Sequence, residues 1–405
     1  MSLVKNDTNE RAIFIVLFAF FEATMLFNHS IIYYFAFTML LLASFASFSK
    51  NDVKFVLPVF FIFYAMFVVF AYIQVNYIGV FNMKDSVFML GVVTQNLFAY
   101  LCLFFVIYNY KCVDSALRAY ILASVIQVVV IVALSQMTGG VGRLGEDIDL
   151  NLLGLTFSYN ANSIAMTACV SLSLLILDRT LYSSISSLTI GGLLFIALLL
   201  SGSKKTLFII VCAFIWYGFM GEKHNKRRFS VFVKRVLLSA IIIVTIYEIV
   251  MHIPFFYEII GIRIENMFDY YTGGLGDSST QARDHLIEMG MDNFYKHPYW
   301  GIGLNNFKSF NDSIYYSHND YVELLSSVGI IGTIIAYLPK LNILFRTLVS
   351  LPREYRHYIF IVFEYFIVAF GTVSYYKRED WVVLIVILAL LEINKKTKRL
   401  REIRK

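Results

Sequence analysis

The stretch Tyr315-Tyr-Ser-His-Asn-Asp-Tyr-Val-Glu-Leu-Leu-Ser-Ser-Val-Gly-Ile-Ile-Gly332 changes within a few residues from a polar loop to an apolar helix. Ser317 followed three positions later by Asp320 reads as a capping box, which starts the helix there. His318 then falls in the first helical turn, where backbone N–H groups lack intrahelical partners and the positive dipole end is exposed. Such a place favours a nearby anion and the neutral imidazole, so a basic His318 beside a phosphate is one reading. The other is that His318 and Asn319 tie down a loop, the common duty of polar residues at such junctions.

The apolar half of this stretch is typical of the chain. Of 405 residues 59% are hydrophobic and 15% charged, and the mean hydropathy is +0.69. A soluble protein carries about a quarter charged residues, so the composition specifies an integral membrane protein, all-α, folded as a polytopic bundle. Runs long enough to span lie near 12–27, 31–48, 55–76, 87–109, 117–137, 160–178, 181–200, 206–220, 236–253, 320–344, 358–375 and 381–394, about twelve in all. The first run follows a short charged start without a small-residue cleavage site and reads as a retained helix. The four cysteines are scattered and offer neither a disulfide framework nor metal spacing. Tyr and Phe are abundant, as aromatic belts and lipid-facing surfaces require, and no nucleic-acid site is implied.

Lys and Arg set the expected orientation. Lys223, Lys226, Arg227, Arg228, Lys234 and Arg235 crowd one loop, Arg346, Arg353 and Arg356 another, and Lys395 to Lys405 form a basic tail. With twelve spans all three fall on the side of the N-terminus, which the positive-inside rule makes cytoplasmic. The organisation expected is nine spans over 1–253 with an outer loop at 138–159, a large outer segment at 254–318, three spans over 319–394, and the cytoplasmic tail 395–405. The large outer segment carries a turn at Gly273, Gly274 and Gly276. A short amphipathic helix from Gln281 to Tyr295 follows, stopped by Pro298, with a flexible corner at Gly301 and Gly303.

The cations that end up outside carry the chemistry. Arg143 sits in a glycine-rich loop ahead of the polar Asn160-Ala-Asn162 approach to the next helix. Lys204 and Lys205 occupy the tight turn Ser201-Gly-Ser-Lys-Lys-Thr206, and Arg283 opens the outer helix. Arg offers a bidentate fork, Lys a point charge, and bare backbone N–H groups complete a cradle suited to a pyrophosphate. Each alone also fits a lipid headgroup anchor. Asp284, His285, Asp292, His297 and Asp320 show no regular ligand spacing, so no metal is expected. Glu22, Glu248 and Glu364 stand singly in apolar runs and read as structural acids.

Taken in order, Arg143, Asn160-Ala-Asn162, Ser-Gly-Ser-Lys-Lys, Ala282-Arg283, Pro298-Tyr-Trp-Gly-Ile-Gly303 and His318-Asn-Asp with Gly329 and Gly332 resemble the O-antigen ligase and polymerase superfamily of bacterial membrane glycosyltransferases. The similarity covers about 138–335. The family often has Arg in the turn where this chain has Lys204 and Lys205. The resemblance implies an undecaprenyl-diphosphate-linked oligosaccharide as donor, an acceptor glycan, membrane lipids and a chain-length regulator as partners, and no cofactor or metal. It implies a multi-pass protein of the bacterial plasma (inner) membrane with chemistry on the outer face. Arg143, Arg283, Lys204 and Lys205 would hold the diphosphate, with Asn160, Asn162, Asn319 and Asp320 supporting. His318 would either take the proton of the attacking hydroxyl or hold the diphosphate. The turn and the corner look more like a polymerase; a ligase transferring to lipid A-core, or a flippase with a basic outward cavity, are the alternatives.

Overall fold

Apolar runs in a membrane must satisfy their own backbone groups, and helices do this within one segment. The computed structural model describes residues 7–27, 31–49, 55–137, 144, 148–152, 155–159, 161–219, 228–274 and 278–403. Each of the twelve apolar runs is helical there. The chain begins with α1 (Asp7–Leu26), α2 (Ile31–Phe48), α3 (Val59–Ile73), α4 (Met83–Tyr110) and α5 (Val113–Met137). An antiparallel hairpin of β1 (Ile148–Leu152) and β2 (Leu155–Tyr159) follows, in register Ile148 to Tyr159. Then come α6 (Ala161–Leu177), α7 (Ser184–Ser201), α8 (Lys204–Phe219) and α9 (Arg228–His252). The segment between α9 and the last three helices holds α10 (Pro254–Phe256), α11 (Ile262–Tyr271), α12 (Ser278–Lys296) and α13 (Phe307–Phe310). The chain closes with α14 (Asp320–Ser350), α15 (Tyr358–Val368) and α16 (Glu379–Ile403).

Among the described residues six helices are long and apolar enough to cross a membrane, or seven if the pair Val244–His252 and Pro254–Tyr270, bent by 93°, counts as one span. A membrane helical bundle is what the sequence specified; the count of twelve is wider than the six or seven. Length explains part of the difference. The 17 residues of α6 and the 16 of α8 extend roughly 25 Å, short of the ~30 Å hydrocarbon core. The run 358–375 is helical in α15 for only 11 residues.

Two compact units form, each assembled from segments distant in sequence. The first comprises Met1–Ala36, Asp114–Asp277 and Pro352–Glu364. Within it α6 packs on α7 and α8, and α8 on α9. The loop after α6 is fastened by Asp178. Its Oδ1 accepts from Thr180 N (3.1 Å) and Oγ1 (2.6 Å), and its Oδ2 from the Tyr358 hydroxyl (2.7 Å), with His357 Nε2 at 3.4 Å. Burial raises the Asp178 carboxyl, but the hydrogen bonds of His357, Thr180 and Tyr358 outweigh it and hold the group well below its ordinary value. Such a carboxyl contributes stability that is complete above its unfolded pKa of about 4 and is lost as pH falls through the folded value. Thermal unfolding on acidification is therefore expected to show a loss below about pH 4 that Asp178→Asn does not show.

The second unit comprises Phe37–Val113, Ser278–Leu351 and Tyr365–Lys405. Here α14 packs on α3 and α16 on α4, around an aromatic cluster in which Tyr64, Tyr100 and Trp381 meet at 5.5–6.1 Å between centroids. The run expected as one helix from 320 is broken: Gly329 sits at φ 63, ψ −172 inside α14. The break frees the carbonyls of Ser326 and Ser327. Ile302 N donates to the first at 3.0 Å and Gly303 N to the second at 2.9 Å, while Ile330 N donates back to the Pro298 carbonyl at 2.9 Å. The glycine corner 298–303 is thus seated in the break. Gln74, buried at the end of α3, donates through Nε2 to the carbonyls of both Ser327 and Trp300.

Candidate functional site

Asn319 caps α14. Its Oδ1 accepts from the N–H of Tyr321 (3.0 Å) and Val322 (3.2 Å), and the helix begins at Asp320. Ser317 instead donates its N–H to Glu323 Oε2 at 3.0 Å and its hydroxyl to the Asn319 carbonyl at 2.9 Å. The expected capping box is therefore displaced. Asn caps as well as Ser, and the acid that reaches back is Glu323 rather than Asp320. His318 precedes the cap instead of lying in the first turn, and its φ of +56 is left-handed, a region in which His and Asn are enriched among non-glycine residues.

The backbone on both sides of His318 is pinned while its half-buried ring stands near the positive end of α14. The ring lies 4.4 Å from that of Tyr316 and 6.3 Å from that of Tyr315. Two cations border this aromatic pair. Lys308 Nζ is 5.7 Å from the Tyr316 ring centroid. Burial pushes the Lys377 ammonium down, but Tyr316, Asp380, Tyr376 and Glu379 around it more than reverse this and hold it above its ordinary value. Sequence reasoning missed both. Lys377 ends the apolar run 358–375, and the positive-inside argument applied there would have found it.

Asp320 turns inward. Its carboxylate accepts from the Tyr337 hydroxyl (2.9 Å), Ser374 N (2.6 Å) and Tyr375 N (2.9 Å), and lies 3.5 Å from the buried Lys340 ammonium. It fixes the start of α14 to the turn after α15, and so supports His318 through the backbone. Lys340 also went unnoticed, although a lone Lys in an apolar run is itself a signal. Arg283 is half-buried on α12. Seven residues further along, Gly290 faces Val322 so closely that a Cβ would meet its Cγ1 at 2.3 Å. Arg283 therefore projects from the face that packs on α14, roughly 10 Å up the helix axis.

The remaining candidates belong to the first unit or fall outside the description. Lys204 and Lys205 are half-buried at the start of α8, and Lys204 Nζ donates to the Arg263 carbonyl at 3.0 Å, a tie between α8 and α11. Two cations at a positive helix end oppose the dipole, an arrangement that an anion relieves. Asn162 is half-buried in the first turn of α6. Arg143 and Asn160 lie outside the described residues.

In comparison with known proteins, residues 190–337 match the family model described as O-antigen ligase. No curated protein matches the chain. The matched stretch contains Lys204, Lys205, Arg283, the 298–303 corner, His318 with its cap, and the break at Gly329. Over this stretch the chain is similar to the O-antigen ligase family.

Proposed function

We propose that this protein is a surface-polysaccharide (O-antigen) polymerase, joining undecaprenyl-diphosphate-linked repeat units on the outer face of a bacterial inner membrane. The observation that carries the reading is His318, pinned ahead of α14 inside the matched stretch, with Lys308 and Lys377 beside the neighbouring Tyr316. His318 accepts the proton of the acceptor-sugar hydroxyl. That oxygen attacks the anomeric carbon of the donor glycan, the carbon–oxygen bond to the diphosphate breaks, and the lipid diphosphate leaves with the bonding pair. Arg143, Arg283 and the lysines meet the charge that develops there, so that the reaction runs without a metal.

Purified protein in bilayers, supplied with lipid-linked repeat units, is expected to build a ladder on the lipid carrier in EDTA. Transfer only when lipid A-core is added would make it a ligase, and movement of intact units across the bilayer without transfer a flippase. Arg143→Ala and Arg283→Ala are expected to slow extension by about 10²–10³-fold, with Arg→Lys recovering part of it. Normal chain lengths in both alanine variants would make these residues lipid anchors.

The same reading requires both termini in the cytoplasm. Reporters after Lys405 and near Arg228 are expected to be cytoplasmic and one near Gly274 external. An external C-terminus would remove His318 from the outer face.

A further inference from the structure

The first unit holds a second feature unrelated to sugar transfer. Between α6, α7, α8 and α9 lies a cavity of about 600 Å³, half open to its surroundings. One end is polar, with Arg179, Tyr182, Ser184 and Ser187 on its wall; the rest is lined by Leu172, Phe195, Phe214 and Leu238. The Arg179 guanidinium rests 4.7 Å from the Tyr217 ring centroid. It forms no ion pair among the described residues. Among the described residues the cation is thus held in one place by an aromatic face but not neutralised.

The apolar end has a floor made by absence. Gly191 and Gly192 lie side by side on α7. A Cβ on Gly191 would touch Leu172 at 3.5 Å, whereas one on Gly192 meets nothing within 4 Å. The glycines leave the α7 wall of the cavity bare between Leu188 and Phe195, a trough beyond the polar end.

An arginine with hydroxyls at one end and an apolar trough at the other, in a chain that lies in a membrane, is complementary to one amphiphile. We infer that this cavity binds an anionic glycerophospholipid of the surrounding bilayer, its phosphate on Arg179 and the adjacent hydroxyls and an acyl chain over Gly191 and Gly192. Any lipid can fill an apolar groove; the unneutralised guanidinium selects for net negative charge. The start of α7 at Ser184 adds its own positive dipole end to the same wall. The inference does not depend on the glycosyltransferase reading, since the cavity contains none of the residues assigned to it.

The test uses the full chain, purified and stripped of lipid, titrated with phosphatidylglycerol or phosphatidylcholine of the same acyl chains and read by native mass spectrometry. One phosphatidylglycerol is expected to be retained at concentrations at least ~5-fold below those needed for phosphatidylcholine. Arg179→Gln is expected to erase this preference, Arg179→Lys to keep part of it, and Gly192→Leu to weaken both lipids by filling the trough. Gly192→Leu adds helix propensity and meets open space, so it stays folded and carries the test even if Arg179→Gln does not. Equal retention of the two lipids, a preference that survives both Arg179→Gln and Gly192→Leu, or displacement of the lipid by millimolar inorganic phosphate would each overturn the inference.

Discussion

His318→Asn is expected to insert and fold as the parent does and to lose about 10²–10⁴-fold in turnover, the usual worth of a general base. Asparagine is the substitution that isolates chemistry from backbone. It tolerates the left-handed φ of +56 at this position about as well as His, whereas Ala adds strain of its own. The neighbouring ties, Ser317 to Glu323 and Asn319 to the first turn of α14, involve no atom of the imidazole. On the proposed reading the cations hold the diphosphate, so donor affinity is expected to change little. His318→Arg separates the two roles assigned to the ring: a guanidinium replaces a phosphate ligand but accepts no proton at neutral pH. Turnover and donor binding measured together on lipid-linked repeat units decide between them. Substantial turnover in the Arg variant would rule out the base and leave His318 as a phosphate contact.

Gly329→Ala is expected to be a strongly damaging single-methyl change in the second unit. At φ 63, ψ −172 the residue occupies a region that only glycine enters freely. A Cβ there would also meet the Tyr299 carbonyl oxygen at 2.3 Å and Trp300 N at 2.6 Å. Those atoms belong to the backbone of the corner, itself fixed by Ile302, Gly303 and Gln74, and cannot rotate aside. Backbone strain and overpacking together are expected to cost roughly 2–6 kcal/mol. Two glycines supply the controls. Gly332→Ala meets only side-chain atoms of Phe70 and Val328 and is expected to lose less. Gly91→Ala meets nothing within 4 Å and is expected to be neutral. Thermal unfolding of the three variants should rank them in that order, and a Gly329→Ala protein as stable as Gly91→Ala would show that the break is not fixed by the corner.

The sequence made the helices legible because hydropathy is a local signal. Ile31–Phe48 was read to the residue, and the outer helix expected over Gln281–Tyr295 is α12. What it did not display is whatever depends on a distant partner. Gly329 looks like any glycine in a membrane helix, and nothing near it announces that Ser326 and Ser327 bond to residues 302, 303 and 74. The start of α14 was misplaced for a different reason. Ser317, Asn319, Asp320 and Glu323 offer two overlapping capping patterns, and the inward pull of Lys340, Tyr337 and Ser374 on Asp320 removes one of them. At the candidate site, His318 was recognisable from its junction of polar loop and apolar helix, and Arg283 as a cation on the side expected to face outward. Lys377 was hidden by its place at the end of a hydrophobic run.

Gln74 also constrains the order of biogenesis. Its two acceptors, Trp300 and Ser327, lie 226 and 253 residues later in the chain. At a synthesis rate of ~5–20 residues per second they emerge roughly 10–50 s after it. Throughout that interval α3 carries a carboxamide made for a backbone that does not yet exist. The insertion machinery, or water at the bilayer surface, has to shelter it. Maturation of the second unit is therefore timed by the arrival of the last third of the chain, and a chain truncated before residue 327 would leave α3 with an unmet polar group, a ready mark for membrane quality control.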